Sequence, residues 1–276
     1  MRKAKDKTLK FLMSLCAAVT CLLLIGLIGY LLNRGIPGIN AKFLTTQTSY
    51  ISDSIGILPN ILNTLYLIVL VMIIVVPLGV GAAVYLTEYA SNKRISNAIG
   101  FAVETLTGIP SIIFGLVGML FFTQILGLRQ GILAGSLTLI IMVLPTVISN
   151  TKESLLAVPQ SYREGALALG SGKWHMVRTV VLPNAVDGII TGCILAVGRV
   201  VGESAALLFT AGFGLKLLGF AEALQSSAAS LTVALYIYAS EEGKFDVAFS
   251  IAVILICITL IINLAASLVG KKVRKS

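Results

Sequence analysis

The residues of this chain able to do chemistry in an apolar setting are few and close together. The stretch IITGCILAVGRVVGESAALLFTAG (Ile189–Gly212) carries Arg199, Glu203 and Ser204 in an otherwise uncharged run. A guanidinium offers a rigid fork of donors that matches phosphate or carboxylate oxygens, so the chemistry indicated is recognition of an anion. Arg199 is eleventh of the 24 residues, near mid-membrane if the run is a span. There a charge costs at least about 2.5 kcal/mol and must face a partner or water. Helical spacing places Arg199 and Glu203 one turn apart on one face. Two readings stay open: an ion pair that neutralises itself and fastens helices, or the lining of a pathway. Arg before Glu is the poorer order at i, i+4, which favours the pathway.

No catalytic residue and no metal site is expected. The single His175 lies outside the apolar runs, and Cys16, Cys21, Cys193 and Cys257 lie inside them without metal-ligand spacing. An intramembrane enzyme would need a nucleophile with its base, or a metal, within the spans. The fragment GSGKW resembles a phosphate-binding loop, but Trp174 stands where that loop needs a hydroxyl for magnesium, so the chain should not hydrolyse ATP.

These residues must be positioned by membrane-spanning helices. With 57% hydrophobic and 12% charged residues and a mean hydropathy of +0.97, the chain is too apolar for a water-soluble domain. A helix needs roughly 20 apolar residues to cross the bilayer. Six runs qualify: Phe11–Leu32, Ile61–Leu86, Ile99–Leu126, Gly131–Ser149, Ile189–Gly212 and Val247–Val269. The first exceeds the apolar core of a signal peptide and lacks a small-residue cleavage site, so it reads as an uncleaved anchor. With both termini cytoplasmic, 15 of the 21 Lys and Arg residues fall inside and five outside, Arg199 being the remaining one. The stretch Leu217–Ala239, with Glu222 and Gln225, reads as an outer amphipathic or re-entrant piece, not a seventh span. The net charge of +9 thus sits against anionic lipid, and no nucleic-acid partner is needed to explain it. Glu104 is expected to snorkel from the inner end of span three, and Pro77, Gly79, Gly81 and Pro110 to kink helices.

The longest inner loop, 150–188, contains EGALALGSGKWHMVRTVVLP. Pro159 can open a helix in which Tyr162, Ala166 and Leu169 make an apolar stripe, and Gly170 suits a left-handed helix end. Ser171 can cap a second helix, with Trp174, Val177 and Val181 on one face and Pro183 as its stop. Spacing alone leaves an interfacial hairpin and a protein-docking element equally open.

The same stretch resembles the cytoplasmic signature loop of binding-protein-dependent ABC importer permeases, Glu-Ala-Ala, three residues, Gly, nine residues, Ile-x-Leu-Pro. Here it reads Glu164-Gly165-Ala166, Gly170, then Val180-Val181-Leu182-Pro183, with Gly165 and Val180 as the departures. The stretches GIPSIIFGLVG (Gly108–Gly118) and RVVGESAALLFTAG (Arg199–Gly212) are similar to those of phosphate-uptake permeases of the PstA type, over about 61–269. Those relatives commonly have Gly-Glu-Thr-Ala-Pro where this chain has Gly202-Glu203-Ser204-Ala205-Ala206.

The resemblance implies an all-α membrane protein of the type I ABC importer permease fold. It would comprise a tail, first helix and outer loop over 1–60, a permease core over 61–269 and a basic tail over 270–276. It implies a permease subunit importing inorganic phosphate across the cytoplasmic membrane, with sulfate or molybdate as alternative oxyanions. Arg199, Glu203 and Ser204 would belong to the phosphate path. Glu164, Gly165, Ala166, Gly170, Val180, Leu182 and Pro183 would form the coupling helix that seats in a cytoplasmic ATPase dimer. The other implied partners are a PstC-type permease subunit, an extracytoplasmic phosphate-binding protein and membrane lipid. ATP and magnesium would be used by the ATPase, with no cofactor on this chain. A secondary carrier is disfavoured because no matching halves with broken helices are visible.

Overall fold

The computed structural model describes residues 2–49, 54–90 and 92–275 and is built almost entirely of helices. α1 (Arg2–Gly35) leads through α2 (Ala41–Thr45) and a small antiparallel hairpin, β1 (Gln47–Ser49) and β2 (Ser54–Ile57), into α3 (Leu58–Val84). α3 runs on as a π-turn to Tyr89, and then come α4 (Lys93–Thr107), α5 (Ser111–Gly118) and α6 (Ile132–Leu156). α7 (Gln160–Ala168) and α8 (Lys173–Met176) form the loop before α9 (Leu182–Gly202). α10 (Ala205–Thr210), α11 (Phe220–Ala223) and α12 (Leu231–Tyr236) precede the last long helix, α13 (Phe245–Lys275).

The core is made where α6 packs between α3 and α9, through Leu67, Val71 and Val75 of α3, Leu139, Met142 and Val143 of α6, and Ala196 and Val200 of α9. Between α6 and α9 the packing is close because the facing residues are small. Gly192 fits against Asn150, and Gly188 against Ser154, where a Cβ would collide with the serine side chain. Membrane helices associate through such small-residue contacts because lipid tails leave no hydrophobic drive between them. α1 stands to one side with its apolar surface exposed, as a helix in contact with lipid should. It meets α13 at its end, where Ser250 Oγ donates to Gly35 O at 2.9 Å and Tyr30 packs edge-on against Phe249.

Among the described residues five helical segments are long and apolar enough to cross a membrane, and a sixth exists only as a bent pair. This corrects the expected continuous third span, Ile99–Leu126. The chain turns by 101° between α4 and α5, at Gly108-Ile109-Pro110. Pro110 has no N–H to continue the ladder and forces the residue before it out of the helical region. Glu104 lies on the exposed face of α4. Pro77 and Pro145, by contrast, sit inside unbroken α3 and α6.

The fourth and fifth spans also differ from the expected bounds. α6 continues past Ser149 to Leu156, while the α8–α9 helical run begins at Lys173 and ends at Gly202, not Gly212. Of the segment after it, 213–227 stays largely exposed while 228–238 folds back into the bundle, as a re-entrant piece does. Ala228, Ala229, Leu231 and Tyr238 are fully buried, and the first turns of α3 hold the backbone there. Asn60 and Asn63 both donate their side-chain amides to Ala229 O, at 3.0 and 3.1 Å, and Thr64 Oγ1 accepts from Leu231 N–H at 2.9 Å. Irregular backbone at membrane depth survives only when protein groups satisfy it in this way.

Candidate functional site

Two groups of predicted residues occupy two different parts of the bundle. The first is the loop between α6 and α9. α7 begins after Pro159, as its fixed φ favours, and ends on Gly170 at φ +82°. Gly170 N–H donates to Leu167 O at 3.0 Å and Ser171 N–H to Ala166 O at 3.1 Å, the paired bonds of a Schellman ending. The corner is surrounded by open space, and Leu169 projects from it 91% exposed. Glu164, Gly165 and Gly170 are exposed as well, and a Cβ at Gly165 would touch nothing, so the departure from Ala at that position alters no packing.

Three details of the second helix differ from expectation. Ser171 does not cap it: Gly172 occupies the N-cap position, and Ser171 Oγ donates to Gly172 O at 3.3 Å. Val177 and Val181 are fully buried, but Trp174 is 60% exposed and does not share their face. Pro183 does not stop the helix, because a π-turn over Val177–Val181 precedes it and leads straight into α9, with Pro183 in the first turn of α9. The wider turn shifts the register so that the missing N–H falls where none is needed.

The residue that fixes the loop to the bundle was not singled out by its spacing. Arg163, 9% exposed, sends Nε and Nη2 to Glu88 Oε1 at 3.1 and 2.9 Å. The same guanidinium donates from Nη1 to Val158 O and from Nη2 to Leu155 O, both at 2.7 Å. It therefore joins α7 to the end of α6 and to the π-turn that ends α3. Both charged side chains are nearly enclosed, with relative exposures of 11% and 6%. At the end of α6, where carbonyls run short of helical partners, the guanidinium supplies a donor to Val158 O and a second, shorter bond to Leu155 O, which otherwise accepts from Val158 N–H at 3.3 Å. Glu164 is exposed and makes no hydrogen bond or ion pair among the described residues. The sequence signal for the pair was Glu88 itself, an acid at the end of an apolar span.

The second group is Arg199, Glu203 and Ser204. α9 ends at Gly202 and Glu203 is extended (φ −81°, ψ 123°), so Arg199 and Glu203 do not share a helical face as expected. They form no ion pair. Arg199, half-buried, donates from Nη1 to Thr146 Oγ1 of α6 at 3.3 Å, its single protein partner among the described residues. The rest of its fork is uncommitted. Glu203 is buried at 8% exposure, and its Oε1 accepts from Ala206 N–H at 3.0 Å, capping α10. Its carbonyl accepts from Thr232 Oγ1 of α12 at 2.7 Å. The break is present here with Ala at 206 and no proline, and the Ala206 N–H is the one Glu203 holds. Among the described residues no cluster of His, Cys, Asp and Glu could hold a metal ion.

Comparison with known proteins gives this arrangement its context. Residues 75–275 match the family described as "Binding-protein-dependent transport system inner membrane component". The chain is 37% identical to the probable ABC transporter permease protein YqgI of Bacillus subtilis, over 99% of this chain and 98% of that one. It is 35% identical to the phosphate transport system permease protein PstA of Xylella fastidiosa, over 66% of this chain and 63% of that one. Among solved structures, a bacterial alginate ABC transporter in complex with its pentasaccharide-bound periplasmic protein superposes with a TM-score of 0.69 at 17% identity, over 100% of this chain and 98% of that one. At that identity the likeness speaks for the fold alone.

Proposed function

The chain belongs to the binding-protein-dependent transport system inner membrane components, and from that premise we propose that it is the phosphate-conducting permease of an ATP-driven importer. It is a non-enzymatic membrane subunit of an ABC importer. The finer reading, inorganic phosphate as the solute, is supported by the likeness to PstA proteins and by Arg199. An uncommitted guanidinium in the last turn of α9, beside the helix break, is suited to a tetrahedral oxyanion, offering charge and paired donors together.

The single observation that carries the coupling role is the Arg163 staple. A loop meant only to lie on lipid headgroups has no need of a buried ion pair binding it to two helices. A loop that must transmit force does. In this reading Glu164, Gly165, Ala166, Gly170, Val180, Leu182 and Pro183 form the docking element for a cytoplasmic ATPase dimer. Closure of that dimer pushes α7, and Arg163 passes the displacement to α3 and α6, so that bundle closure follows a rigid-body path. Both termini then face the cytoplasm, a PstC-type subunit completes the permease pair, and an extracytoplasmic binding protein delivers the solute. ATP and magnesium belong to the ATPase. Arg199 offers its free donors to the passing anion, while Glu203 and Ser204 shape the helix break beside it.

Co-purification with the ATPase tests the coupling half: Gly170→Arg should abolish the complex, and a complex that persists would refute it. Arg199→Gln tests the solute half, with loss of uptake expected in an intact complex. Normal uptake by that variant would remove Arg199 from the path. Sulfate as an alternative solute would show as ATPase stimulation by sulfate and not by phosphate.

A further inference from the structure

A second site lies where the span of α3 meets the loop. Along one side of α3, Pro77, Gly81, Tyr85 and Tyr89 follow one another at successive turns, and Trp174 and Leu182 form the opposite wall. Together they enclose an open groove of about 560 Å³ whose walls are almost wholly apolar. Gly81 leaves it clear, since a Cβ there would meet nothing within 4 Å. The groove opens outward from the bundle at the end of the segment Leu58–Tyr89, the depth at which a span passes from hydrocarbon to headgroups.

Its rim is cationic and aromatic. Lys173 Nζ lies 5.1 Å from the centroid of the Tyr89 ring and pairs with no carboxylate among the described residues. Glu88, the acid in the same turn as Tyr89, is taken by Arg163. Arg178 follows Trp174 by about one turn and is exposed. An apolar trough ending in Tyr and Trp rings beneath unneutralised cations has the profile of an interfacial lipid site.

We infer that this groove binds an anionic glycerophospholipid, with an acyl chain along Gly81 and Pro77 and the phosphate at Lys173. A free anion would gain nothing from the apolar walls, and a zwitterionic lipid, with no net charge, less from the cations. The bound lipid would lie against both α3 and α8, whatever solute the permease carries.

Trp174 is the only tryptophan in the chain, so its fluorescence reports on this groove alone. The full-length chain would be placed in phosphatidylcholine nanodiscs doped with phosphatidylglycerol or phosphatidylcholine brominated on one acyl chain. Brominated phosphatidylglycerol should quench Trp174 at about one-fifth the mole fraction needed for brominated phosphatidylcholine, the preference expected from one interfacial cation. Lys173→Gln should bring the two lipids toward parity, and Gly81→Leu, which fills the groove, should weaken quenching by both. Equal quenching by the two lipids in the unaltered chain, or a preference that survives Lys173→Gln, would overturn the inference. So would quenching by neither lipid, which would mean that protein covers the groove.

Discussion

Removing Arg163 should uncouple the loop from the bundle without dismantling the bundle. Arg163→Met leaves the Glu88 carboxylate enclosed without its cation, takes the side-chain donor from the Val158 carbonyl and leaves the Leu155 carbonyl the long bond from Val158 N–H. Breaking a buried pair from one side costs about 3–5 kcal/mol, because the remaining charge is stranded. If that penalty falls on the local equilibrium between docked and released loop, release becomes between about a hundred-fold and a few thousand-fold more frequent. Amide hydrogen exchange over 157–181 reads this directly, and protection there should drop by that range while α6 and α9 stay protected. Glu88→Gln should cost less, since the guanidinium keeps both carbonyls and a neutral acceptor. The exchange Glu88→Arg with Arg163→Glu separates this geometry from a simple charge pair. A carboxylate at 163 would face the two carbonyls as a third acceptor, so the swap should not restore protection. Full recovery in the swapped chain, or unchanged exchange in Arg163→Met, would refute the reasoning.

Other expectations follow from single contacts. Thr64→Val strands the buried Leu231 N–H and should destabilise the re-entrant segment by about 1–3 kcal/mol, visible as faster exchange at 228–236. Gly188→Ala should lower the melting temperature of the purified chain through its collision with Ser154, and Ser154→Gly in the same chain should recover most of the loss. Ala206→Pro removes the N–H that Glu203 holds and should loosen the start of α10, visible as faster amide exchange at 207–212. Arg199→Lys keeps the charge but loses the fork, and should raise the KM for uptake by about tenfold while leaving the complex assembled.

The spans were legible because a bilayer imposes a length and a composition on any helix that crosses it. The loop corner at Gly170 was legible for a similar reason, since only a residue tolerant of positive φ closes that Schellman ending. What escaped was tertiary. Arg163 and Glu88 are far apart in sequence, and no local periodicity links an arginine on α7 to an acid at the end of α3. The break at Glu203 escaped because its cause is a side chain turning back to its own backbone. Apolar composition on either side of it reads as one continuous helix. Pro110 and Pro183 show the limit from the other direction: the same residue type bends the chain by 101° at one place and passes through a helical run at the other.

The most direct test is radiolabelled phosphate uptake by proteoliposomes containing this chain with its ATPase, its second permease subunit and the binding protein. ATP-dependent accumulation of phosphate, uncompeted by sulfate and abolished by Gly170→Arg, is the predicted result. Accumulation without ATP, or undiminished in Gly170→Arg, would contradict the account.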